Sequence, residues 1–128
     1  MRSKKQEGEE MIQSYRDLKV YERSYRMAIE MYQITSGYPK EEMYGLTSQI
    51  KRASTSIALN IAEGYGKRES LNEFKRFLLM AIGSCDEMKV LLDISKDLGF
   101  ITQEEHQRSE QEYEEIGKML NRLRSRWR

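Results

Sequence analysis

Cys85 and His106 are the only cysteine and the only histidine in the chain, so thiol or imidazole chemistry would have to be built around one of each. A nucleophilic thiol needs a neighbouring base. The spacing instead sets Cys85 on an apolar seam, where a thiol stays protonated and inert. His106 falls at the start of a helix, where the positive end of the dipole disfavours its protonation; a lone histidine there reads as a packing or surface residue. A zinc centre built on protein ligands, or a Glu-x-x-His centre in a bundle, asks for more histidines or cysteines than the chain has. Glu63 and Glu87 could pair as carboxylates, but no nucleophile, acid or oxyanion donor accompanies them. Gly64-Tyr65-Gly66 lacks the G-x-x-x-x-G-K-[ST] pattern and the preceding strand of a phosphate loop. The expectation is a protein that is not an enzyme and has no metal or cofactor.

Phosphate recognition is a different matter. Lys plus Arg number 22 against 21 for Asp plus Glu, so net charge predicts no partner, but the distribution is uneven. Lys51, Arg52, Lys67, Arg68, Lys75 and Arg76 cluster around one predicted loop. Residues 118–128 carry five bases and no acid (Lys118, Arg122, Arg124, Arg126, Arg128), whereas residues 101–115 carry six acids and one base. The candidate nucleic-acid contacts are therefore Lys51, Arg52, Lys67, Arg68, Lys75, Arg76, Arg122 and Arg126, with Tyr65 and Trp127 available to stack on bases. Against this stands the helix dipole, which favours acids early and bases late in a helix and explains the last segment without RNA.

The elements that would position these residues are helical. With 128 residues there is room for one core. The longest apolar run, Phe77 to Ile82, is far short of the roughly 20 residues of a membrane span. The first residues have no apolar run behind their bases, as a secretory signal would, so a cytoplasmic location is expected. Residues 1–13 read as a flexible arm and 14–128 as a single domain. The first helix starts near Ser14 to Asp17, carries Leu18, Tyr21, Tyr25, Ala28 and Tyr32 as its seam, and ends at Gly37 and Pro39. The second runs from Glu41 to Glu63 with Met43, Leu46, Ile50, Ala53, Ile57 and Ile61, and Gly64-Tyr65-Gly66 terminates it. Ser70 to Glu73 forms a capping box for a third helix reaching Leu98, with Leu71, Phe74, Leu78, Ala81, Cys85, Met88 and Leu92 on its seam. Thr102 to Glu105 forms another for a fourth, which aligns His106, Ser109, Tyr113, Ile116, Leu120, Leu123 and Trp127. Four seams and short loops predict an all-α, antiparallel up-down-up-down four-helix bundle.

Two helices hold more apolar residues than one seam needs. Val20, Met27, Met31 and Ile34 lie off the tyrosine seam of the first; Phe77, Met80, Ser84 and Leu91 lie off that of the third. Left in water they would form a larger patch than monomers expose. Val20, Met27, Met31, Phe77, Met80 and Leu91 are therefore the expected contacts of a homo-oligomer.

Gln49-Ile50-Lys51-Arg52-Ala53, then Asn60-Ile61-Ala62-Glu63-Gly64-Tyr65-Gly66-Lys67, then Phe74, Phe77, Leu78, Ala81, Gly83, Ser84 and Glu87 form three ordered motifs. Over residues 15–123 they resemble the bacterial four-helix-bundle proteins associated with intervening sequences in 23S ribosomal RNA genes. Many members carry Pro where this chain has Ala58, which predicts a less kinked second helix. The resemblance makes Gln49, Arg52, Asn60, Glu63, Gly64, Gly66, Ser84 and Glu87 the motif residues and implies a homopentameric barrel with a central opening. The chain is also distantly similar to the accessory variability determinant of diversity-generating retroelements, a pentamer that binds nucleic acid and a reverse transcriptase. From the residues themselves, Arg52 is expected to pair with Glu63 or Glu87, and Asn60 to bond backbone at the following loop. The functional expectation is an oligomeric scaffold or adaptor presenting a basic surface to RNA or to an RNA-bound protein such as a reverse transcriptase. The alternative is a protein-interaction module that binds no nucleic acid.

Overall fold

The computed structural model describes residues 12–127, and among them there are four α-helices and no strand. The helices are α1 (Lys19–Thr35), α2 (Leu46–Gly66), α3 (Leu71–Asp97) and α4 (Gln103–Arg126), with 3-10 turns at Tyr15–Asp17 and Lys40–Glu42. Most of the expected arm, residues 1–11, lies outside the described residues. Its end is tied down: Ile12 packs on the core and the Gln13 amide donates to Asp17 Oδ2 at 2.9 Å.

Caps explain where the helices begin and end. Ser14 caps the first 3-10 turn rather than α1, its Oγ accepting from the Arg16 amide. Leu18 is then extended, and α1 starts after it. Thr102 Oγ1 accepts from the Glu105 amide while Glu105 accepts from the Thr102 amide, a complete capping box. At Ser70 only half the box forms, because the Glu73 carboxylate is held by Arg76 at 2.9 Å. Pro39 and the Lys40–Glu42 turn delay α2 to Leu46, which leaves Met43 exposed instead of on the seam. Gly99 takes φ +80° and closes α3 with a Schellman pair, Phe100 N to Ser95 O and Gly99 N to Lys96 O, both 2.9 Å. Gly37, expected to end the first helix, does not take that conformation.

The pairings run antiparallel. On α2 and α3, Arg52 meets Glu87, Ser56 meets Ser84 and Gly64 meets Phe77, one number rising as the other falls. On α3 and α4, Phe74 meets Trp127, Lys89 meets Glu114 and Asp93 meets His106. Arg23 to Glu112 and Glu30 to Arg108 do the same between α1 and α4. The seams of α2, α3 and α4 fill the centre as expected, with Ile50, Ile57, Phe74, Leu78, Leu92, Tyr113 and Ile116 fully buried; Leu71 stays outside.

α1 corrects the sequence reading. Its buried face is Val20, Ser24, Met27, Ala28, Met31 and Thr35, about 80° around the helix from the expected seam. Tyr25 and Tyr32 point outward. Val20, Met27, Met31, Phe77 and Leu91, expected at a subunit interface, are buried inside one chain and have no surface to offer a partner; of the six only Met80 is exposed. The reason is local. Ser24 Oγ donates to Val20 O and Thr35 Oγ1 to Met31 O, so two polar residues sit on the buried face at no cost in unmet hydrogen bonds. Such a face reads as interrupted in the sequence, while the tyrosine face reads as continuous.

Candidate nucleic-acid interface

The α2–α3 turn and the end of α4 meet at one end of the bundle, because the Trp127 ring lies 4.7 Å from that of Phe74. This brings Arg126 to the same end as Lys67, Arg68, Lys75 and Arg76. Lys67 and Arg76 flank the Phe77 ring at 5.9 and 4.6 Å. Arg68 stacks over Tyr65 at 4.1 Å and donates to the Tyr65 carbonyl at 2.9 Å, which aims its guanidinium at the turn. Arg76 is engaged by Glu73, and that hydrogen bond holds the Glu73 carboxyl below its ordinary range. Arg122 is engaged by Glu115 at 3.1 Å. Lys67, Arg68, Lys75 and Arg126 have no carboxylate within 4.0 Å among the described residues. Unpaired cations on one end can collect phosphates.

Two of the expected contacts are elsewhere. Lys51 and Arg52 lie about 24 Å earlier along α2; Lys51 sits over Tyr32 at 4.8 Å and Arg52 pairs with Glu87. The expected stacking residues are also otherwise occupied. Tyr65 is buried under Arg68, and Trp127 is half-buried against Phe74.

The motif residues tie helices together. Arg52 bridges to Glu87, and Ser56 Oγ donates to Ser84 Oγ at 2.6 Å. Asn60 bonds back to Ser56 O at 2.8 Å and not to the following loop. Glu63 is exposed and does not partner Arg52; Gln49 and Gly66 are exposed as well. Gly64 belongs to α2 rather than ending it, and its role is contact with α3.

Elsewhere the reactive groups are quiet. Cys85 is buried on the seam as expected, and burial pushes its thiol up to about 12. His106, expected as a packing or surface residue, is buried with Nε2 2.7 Å from Asp93 Oδ1 and 3.8 Å from Glu110 Oε2. The three side chains place ligand-type atoms within 4.8 Å of one another. A single imidazole tied to an exposed carboxylate is accounted for by the hydrogen bond between α3 and α4.

The feature that sequence reasoning missed is a groove of about 460 Å³ between α1 and α2. Tyr15, Tyr21, Tyr25 and Tyr32 form one wall, while Ala58 and Ala62 keep the other low beside Leu59. Half the chain's tyrosines precede residue 33, which is the signal that could have found it.

Among the described residues, no helix is long and apolar enough to cross a membrane. No curated protein matches the chain. A crystal structure of a protein of unknown function from the S23 ribosomal protein family of Bacteroides thetaiotaomicron superposes with a TM-score of 0.75 at 24% identity, covering 83% of this chain and 95% of that one. It shares the fold. The 23S rRNA-intervening sequence protein family matches residues 16–122, with the three motifs inside that span, and the chain belongs to that family.

Proposed function

We propose that the chain is a non-enzymatic, cytoplasmic scaffold or adaptor that self-associates, as a pentameric ring by family resemblance, and presents a basic end to RNA or to an RNA-bound protein such as a reverse transcriptase. The observation that carries this reading is the convergence of Lys67 and Arg68 from the α2–α3 turn, Lys75 from α3 and Arg126 from the end of α4, unpaired with carboxylates among the described residues. Repeated in each copy of an assembly, that end forms a cationic surface whose affinity for phosphates multiplies with copy number. The one thiol is buried and protonated, and the one imidazole is tied to Asp93.

Fluorescence anisotropy with a labelled single-stranded RNA tests the reading across a salt series. Binding at about 50 mM salt, with log K falling by roughly 0.7 per tenfold rise in salt for each phosphate contacted, is the expected result. Replacing Lys67, Arg68 and Arg126 by Ala lowers both affinity and slope. Absence of binding at low salt would leave a module for protein interaction alone.

A further inference from the structure

The chain leaves two apolar surfaces uncovered, on different helices. One is the groove between α1 and α2, with Tyr25, Ile29 and Tyr32 of α1 and Leu59 of α2 exposed along it. The other is the outward crest of α3, where Leu79, Val90 and Ile94 share one side of the helix. The Arg52–Glu87 pair borders that crest toward α2 and the Lys89–Glu114 pair borders it toward α4. Gly83 lies between Leu79 and Val90, and a Cβ there would meet nothing within 4 Å, so the middle of the crest is bare enough for close approach.

We infer that these are the two halves of one joint: the α3 crest of one copy of this chain seats in the α1–α2 groove of the next. Two different patches on one chain make a head-to-tail contact, which can continue from copy to copy, whereas a twofold dimer would use a single self-complementary patch. This rests on the self-association proposed above and places its surfaces.

Charge matches along the joint. The groove has a cation toward each end, Arg16 stacked on Tyr15 at 4.7 Å and Lys51 on Tyr32 at 4.8 Å, and neither has a carboxylate within 4.0 Å among the described residues. The crest carries Asp86 and Asp97, both exposed; Asp86 reaches only Lys89, at 3.8 Å, and Asp97 reaches no cation among the described residues. The Tyr15 ring that carries Arg16 packs 4.9 Å from that of Tyr21, and Tyr21 lies eleven residues from Tyr32 on α1, as Asp86 does from Asp97 on α3, about 16 Å in each helix. A single-stranded RNA would meet cations in the groove too, but it would gain nothing from an acidic, apolar crest on the same chain. The pair of surfaces favours a second copy.

Two single-face variants test the joint, Ile29→Glu in the groove and Val90→Glu on the crest, with Ile29→Ser and Val90→Ser as milder versions at the same exposed positions. Sedimentation equilibrium of the full chain reads the mass. Wild type is expected to exceed the 15.2 kDa of one chain, and each variant alone to fall toward it. An equimolar mixture of the groove variant with the crest variant retains one intact joint and returns twice the single-chain mass. A wild-type oligomer unaffected by all four substitutions would overturn the joint while leaving self-association standing. A monomeric wild type would overturn both, and loss of RNA binding in the Ile29→Glu chain but not in the equally monomeric Val90→Glu chain would assign the groove to nucleic acid instead.

Discussion

A Cβ on Gly64 would stand 2.8 Å from the Cβ of Phe77 and 3.4 Å from the Phe74 carbonyl, so α2 and α3 touch at this point through a missing side chain. Gly64→Ala forces the two helices apart where Phe74 and Phe77 are both buried. The expected loss is about 1–3 kcal/mol, seen as a lower urea midpoint with unchanged slope. Gly66→Ala is the control: open space surrounds that position, and the substitution changes stability by less than about 1 kcal/mol.

Tyr113 is fully buried and its hydroxyl has no hydrogen-bond partner among the described residues. Tyr113→Phe removes an unmet polar group and keeps the ring. The expected outcome is a gain of up to about 1 kcal/mol in chemical denaturation. A loss above that size would mean the hydroxyl is satisfied.

Cys85 predicts an alkaline limit. Burial lifts the thiol from 9.0 to about 12, so above pH 9 the folded chain keeps a proton that the unfolded chain gives up. Its contribution is intact below pH 9 and is lost at about 1.4 kcal/mol per pH unit as the pH climbs toward 12. Burial raises Tyr113 in the same sense above its ordinary 10.0, so Tyr113→Phe flattens the upper part of the curve. At neutral pH, Ellman's reagent should label Cys85 only after denaturant is added.

The Arg52–Glu87 contact joins two motif residues, but their side chains are 61% and 36% exposed. Water and salt screen such a pair, and a double-mutant cycle with Arg52→Ala and Glu87→Ala should return about 0.2–1 kcal/mol. A coupling several times larger would show that the pair is shielded, as it would be if a neighbouring copy covered it.

Much of the bundle could be read from the residues. The Thr102 box, the Ser70 cap and the three- and four-residue spacings of α2, α3 and α4 each have a local physical cause, and each appears in place. What failed had one local cause and several distant ones. The rotation of α1 turns on hydroxyls folding back to i−4 carbonyls, and either of its two stripes satisfies helical spacing. Gly64 and Trp127 depend on where α3 returns: one yields space to Phe77, the other packs on Phe74. The basic end was half legible, since Lys67, Arg68, Lys75 and Arg76 are neighbours along the chain, whereas Arg126 joins them only through the fold. The tyrosine groove is hidden in the sequence because its wall has the spacing of a core seam.

The account stands on tyrosines left outside α1, an apolar crest left outside α3, and a second copy of the chain to cover them. Sedimentation equilibrium of the unmodified protein at micromolar concentration is the most direct measurement. A mass that is a multiple of 15.2 kDa is the predicted result; a single species of 15.2 kDa, unchanged on raising the concentration, would contradict it.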